Sequence, residues 1–63
     1  MISREIGDRR NEGTVLWNIS LMLNKLGERA KAITHAEAAL KIRREIEDPR
    51  AEKVQKQLEA WRG

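Results

Sequence analysis

Apolar residues are unevenly spread along this chain, and the densest run is Thr14–Leu26, TVLWNISLMLNKL. Helical spacing predicts a stripe of Leu16, Ile19, Leu23 and Leu26 along one side of that segment. Val15, Trp17, Leu21 and Met22 fall on the flanks and back. A surface helix needs only one apolar face to hold it to a core. This one is apolar nearly all round, so the pattern predicts cover from more than one direction.

The flanking segments supply the rest of the architecture. Residues 1–6 read as a polar helical stub closed by Gly7, with Asp8 as N-cap of the first full helix, about Arg9 to Leu26. Gly13 weakens that helix by about 1 kcal/mol relative to alanine. Gly27 supplies the left-handed residue that ends it. The second helix is expected from about Glu28 to Ile46, with Ala32, Ile33, Ala36, Ala39, Leu40, Ile42 and Ile46 as its apolar positions. Its alanines allow a neighbouring backbone to approach closely, and the short link makes the pair an antiparallel hairpin. Asp48 caps a third helix with Pro49 at its first position, where the missing N–H costs nothing. Ala51, Val54, Leu58 and Trp61 form a narrow stripe there, with Trp61 expected against Ile33, Ala36 and Leu40. The fold class is therefore all-α: three helices, an antiparallel helix-turn-helix hairpin plus a C-terminal capping helix.

Composition changes this picture in two ways. Sixty-three residues make one small domain, and chains of that size bury only about 60% of their unfolded surface. With no cysteine and one histidine, His35, no disulfide or thiolate metal site is available to staple it. No metal and no cofactor is expected. His35, among polar and small residues, is expected to be exposed. The polar start does not resemble a signal peptide, and no apolar run approaches the roughly 20 residues needed to span a bilayer, so a cytoplasmic location is the expectation.

Charge adds little. Thirteen Lys/Arg face ten Asp/Glu, and the signs are interspersed as on a solvated helical surface. Glu45, Glu47 and Asp48 sit where a helix ends and read as capping groups rather than a general acid/base pair. No nucleophile and base are arranged for catalysis, and the chain is expected not to be an enzyme.

One internal repeat carries more information. Arg4-Glu5-Ile6-x-Asp8-x-Arg10-x-Glu12 recurs forty residues later as Arg44-Glu45-Ile46-x-Asp48-x-Arg50-x-Glu52. Periods of this size mark stacked helical arrays. With Leu16, Ile19, Ser20 and Leu23 in the first helix, Leu26-Gly27 at the turn and Ala32, Ala36 and Ala39 in the second, the chain resembles the tetratricopeptide repeat family in its long form. It departs from the pattern at Ser20, where glycine is usual, at Ala36, where an aromatic is usual, and at Glu47, which replaces the glycine seen at Gly7. The resemblance implies a remnant of a preceding repeat at residues 1–7, one repeat at 8–47 and a solvating helix at 48–63. Stacked repeats shelter one another, so a single one implies an uncovered side.

The same resemblance implies a concave, peptide-holding face built from Thr14, Trp17, Asn18, Leu21, Asn24 and Lys25. Asn18 would hold a ligand backbone, Lys25 would pair with a carboxylate and Trp17 would anchor the ligand. The leading expectation is a non-enzymatic interaction scaffold that self-associates through Val15, Trp17, Leu21 and Met22, most simply as a two-fold dimer. Helix exchange through an opened Gly27 turn is a second route. The alternative is an adaptor for an extended peptide around Trp17 and Asn18. A distant third is nucleic-acid binding by Arg9, Arg10, Arg43, Arg44 and Arg50.

Overall fold

A computed structural model describes the backbone of residues 2–63 and the side chains of residues 8–63. It contains α1 (Ile2–Lys25), α2 (Arg29–Glu45) and α3 (Ala51–Arg62). α1 packs on α2, and α2 on α3, giving the expected antiparallel hairpin with a capping helix. The arrangement is thin, with extents of 39 × 19 × 12 Å. Helices laid side by side in this way leave outer faces uncovered.

The first helix differs from expectation at its start. No stop occurs at Gly7 and Asp8 caps nothing: α1 runs through both residues, and Asp8 is exposed within it. Glycine permits a helix stop but does not enforce one; its cost within a helix is about 1 kcal/mol. The side chains of the expected remnant at residues 1–7 lie outside the described residues.

Both inter-helix turns close by the same hydrogen-bond pattern. The Glu28 amide donates to the Leu23 carbonyl (2.8 Å) and the Gly27 amide to Asn24 (3.1 Å). Asp48 donates to Arg43 (2.7 Å) and Glu47 to Arg44 (3.1 Å). This is the Schellman arrangement, which satisfies the last carbonyls of a helix through one left-handed residue. Gly27, at φ +85°, fills that role in the first turn, and Glu47, at φ 55°, in the second. The Asp48 carboxylate then accepts the Arg50 amide at 2.9 Å within the turn, and α3 begins at Ala51 with Arg50 at its N-cap, two residues later than Pro49, where the sequence places its start.

Ala32, Ala36, Val54, Leu58 and Trp61 form the buried core, with Trp17, Leu23, Ile33 and Leu40 packed against it. Trp61 thus joins the α2 side chains expected beneath it. Each large core side chain contributes roughly 1.5–3 kcal/mol on burial. The inward side of α1 is not the predicted stripe. Ser20 is fully buried and Gly13 buried, with Leu16, Trp17 and Leu23 half-buried beside them. Ile19 and Leu26 are exposed, Leu26 by 75%. Close approach explains the rotation: a Cβ on Gly13 would lie 3.3 Å from the Ile42 side chain. Gly13 and Ser20 on α1, and Ala32, Ala36 and Ala39 on α2, are all buried, and small residues at the close approach fix which side of an all-round apolar helix turns in. The Ser20 hydroxyl satisfies itself by donating to the Trp17 carbonyl at 2.6 Å.

Among the described residues no helix is long and apolar enough to cross a membrane.

Candidate interaction surface

Among the described residues, the large apolar side chains left exposed are Val15, Ile19, Leu21, Met22 and Leu26, all from α1 and the turn that follows it. Four of them align. Val15, Ile19, Met22 and Leu26 follow one another at intervals of four, three and four residues, which keeps them on one narrow line of a helix. Their exposures are 53%, 36%, 63% and 75%. Leu21 lies around the helix from this line, by roughly 120° at helical spacing.

The four side chains expected at a self-made interface therefore divide. Val15 and Met22 belong to the exposed line. Trp17 does not: its ring stacks on Trp61 with centroids 6.0 Å apart, within the chain's own core. Leu21 stands beside Trp17, one turn on. Ile19 and Leu26 take their places on the line, and the four-three-four spacing that identifies them is legible in the sequence.

The six residues expected on a concave face do share one side of α1, at the spacings 14, 17, 18, 21, 24 and 25. Asn18, Leu21 and Lys25 are exposed, while Thr14, Trp17 and Asn24 are half-buried. Asn24 is engaged, accepting from the Arg29 side chain at 2.9 Å. Arg29 also donates to the Trp61 carbonyl at 3.2 Å, tying the first turn to the end of α3.

Arg43, read from the sequence as a surface cation, is buried. It is 4% exposed, with its guanidinium over the Trp17 ring at 5.9 Å. Its Nε is buried without a hydrogen-bond partner. Burial pushes its pKa down, the neighbouring Arg50 adds to this, and Asp48 opposes it. Only the adjacency to Trp17 across the hairpin, which a linear reading lacks, marks Arg43 as an aromatic-stacked cation.

The other arginines considered for phosphate contacts are mostly committed. Arg9 bridges Glu12 (3.4 Å) and reaches Glu45 on α2. Arg44 donates to Gln55, and Arg50 grips Asp48 at 2.8 Å. Arg10 is exposed. A groove of about 530 Å³ between α2 and α3 is lined by charges of both signs, including Glu37, Lys41, Arg44 and Arg62, with Arg62 bridging to Glu37. His35 is half-buried rather than exposed, and its Nδ1 bonds the Lys31 carbonyl one turn back at 2.9 Å. No group of three or more metal-ligating side chains occurs among the described residues.

Comparison with protein-family models, with curated proteins and with solved structures finds no match to this chain.

Proposed function

We propose that this chain is a tetratricopeptide-type hairpin with its capping helix, acting as a non-enzymatic interaction module that self-associates through the outer line of α1. One observation carries the reading: Val15, Ile19, Met22 and Leu26 form a continuous exposed apolar line on a domain whose opposite side is closed by α3. Exposed apolar patches of a few hundred Å² mark interaction sites, and single scattered residues do not. On this reading the open side of α1 is the one a preceding repeat would cover in a stacked array, and a second copy supplies equivalent cover.

Sedimentation equilibrium across concentration tests this. The wild-type chain is expected to form dimers as concentration rises through the micromolar range. Met22→Glu puts a charge on the line at a position 63% exposed in the single chain. It should keep full helicity and sediment as a monomer. A wild-type monomer at all concentrations, or a Met22→Glu dimer as tight as wild type, refutes the proposal.

A further inference from the structure

The exposed line continues toward the start of α1 with the same spacing but opposite chemistry. Positions 8, 12, 15, 19, 22 and 26 follow one another at intervals of four, three, four, three and four, the pattern of a coiled-coil seam. The last four are apolar. The first two are Asp8 and Glu12, both exposed. At the other end of the line, Lys25, Arg29 and Lys31 surround the Gly27 turn together with one acid, Glu28, and all four are exposed; Glu28 pairs with Lys31 at 3.1 Å, and the turn stays net basic. The seam is therefore acidic at its first two positions and apolar over the last four, with a net basic turn beyond.

That polarity selects an orientation. We infer that two copies of this chain pair their α1 helices antiparallel about a two-fold axis between Ile19 and Met22. Val15 then meets the partner's Leu26, and Ile19 meets the partner's Met22. This rests on the self-association reading above and adds its geometry. In a parallel two-fold pair, Glu12 would face the partner's Glu12 and Asp8 the partner's Asp8 along the seam, stacking like charges. In the antiparallel pair all four apolar positions still find apolar partners. Asp8 and Glu12, the latter bridged to Arg9 on its own helix, are carried to the partner's turn, which is net basic. The helix dipoles also oppose one another rather than align. A polar edge of Asn11, Asn18 and Lys25 runs beside the seam, and the antiparallel two-fold sets Asn18 near the partner's Lys25, with no repulsive pair.

The absence of cysteine makes the register directly readable. Single variants Val15→Cys, Leu26→Cys, Ile19→Cys and Met22→Cys each place a thiol on the exposed line. Pairwise mixtures are oxidised gently and the disulfide-linked products are separated by mass. Disulfides need the two Cα atoms within about 7 Å, so only facing positions couple quickly. The expected result is fast mixed coupling of Val15→Cys with Leu26→Cys, and of Ile19→Cys with Met22→Cys. Each should exceed the self-coupling of Val15→Cys or of Leu26→Cys by about ten-fold or more, the contrast between facing and non-facing sites. Fast self-coupling of Val15→Cys overturns the antiparallel register and leaves self-association standing. A wild-type dimer in which neither pairing couples overturns the register as well, and points to exchange of helices through the Gly27 turn. A wild-type monomer removes the register together with the reading it rests on, and assigns the line to a different protein.

Discussion

Residues 4–12 and 44–52 share six identities in nine positions, yet their backbones differ. The first copy is helical throughout, inside α1; the second breaks into the turn between α2 and α3. The decisive difference is position 9 against position 49: Arg9 in the first copy, Pro49 in the second. Proline removes an amide, and its ring disfavours the helical conformation of the residue before it. Glycine is on the wrong side of this comparison. Gly7 lies in the copy that stays helical, while Glu47 takes the left-handed conformation in the copy that turns. A proline imposes a turn; a glycine only makes one cheap.

Placing the proline in the first copy gives the largest effect. Arg9→Pro removes a helix-interior amide and the Arg9 bridge to Glu45, a change that costs about 3 kcal/mol where the helix cannot escape it. Here it can escape by unwinding residues 2–8. The expected outcome is a drop in helical ellipticity worth about two turns, with amide exchange accelerated before residue 9 and protection of α2 unchanged. The reciprocal Pro49→Arg loosens the second turn by about 0.5–1 kcal/mol, because the arginine chain has more unfolded freedom to lose. Unchanged exchange before residue 9 in Arg9→Pro would show that proline is not what separates the copies.

The same logic explains what was readable in advance. Asp48-Pro49 and Leu26-Gly27 mark their turns because each pairs a permissive or obligatory backbone residue with a cap or a helix end. The alanines at 32, 36 and 39 foretell close packing because small side chains at helical spacing have few other uses. Gly7 misleads because one glycine is compatible with two backbones. The inward side of α1 misleads because large apolar residues occur all around it; Gly13 settles the matter by admitting Ile42, with Ser20 buried on the same side. Arg43 is illegible as a buried residue, since only the fold brings Trp17 beneath its guanidinium.

A smaller contrast separates Asp8 from Asp48. Asp8 is exposed mid-helix, whereas Asp48 is 8% exposed and bound by Arg50. The Arg50 guanidinium and then the Arg50 amide hold the Asp48 carboxyl down at about 2, against the opposing pull of burial. Its folded value lies below the unfolded one near 3.8. This contribution to stability is therefore complete above that unfolded value and is lost as pH falls toward 2. Asp48→Ala should cost about 1–2 kcal/mol at neutral pH, the range for lost hydrogen bonds to a charged group. It should also flatten the acid limb of the stability curve in that window. Asp8→Ala should cost nothing, because alanine is the better helix former. Equal losses at the two positions, measured by urea denaturation, would contradict the assignment of Asp48 as the carboxylate that holds the turn into α3.

The finest test concerns Gly7 and Glu47 themselves. Left-handed backbone costs an ordinary residue about 1–2 kcal/mol, which glycine escapes. Glu47→Gly relieves that strain but gives the unfolded chain more freedom, so the net gain should be about 0.5–1 kcal/mol. Gly7→Ala, inside the continuous helix, should stabilise by a similar amount, about 0.5–1 kcal/mol, through helix propensity. The control is Gly27→Ala. At φ +85° with open space around it, it should lose about 1 kcal/mol from backbone strain alone. If Glu47→Gly destabilised, the Glu47 side chain would have to hold the turn by contacts, and backbone geometry would not be what distinguishes the copies. If Gly7→Ala destabilised, α1 would have to pause at Gly7 after all, and the first copy would be a turn like the second.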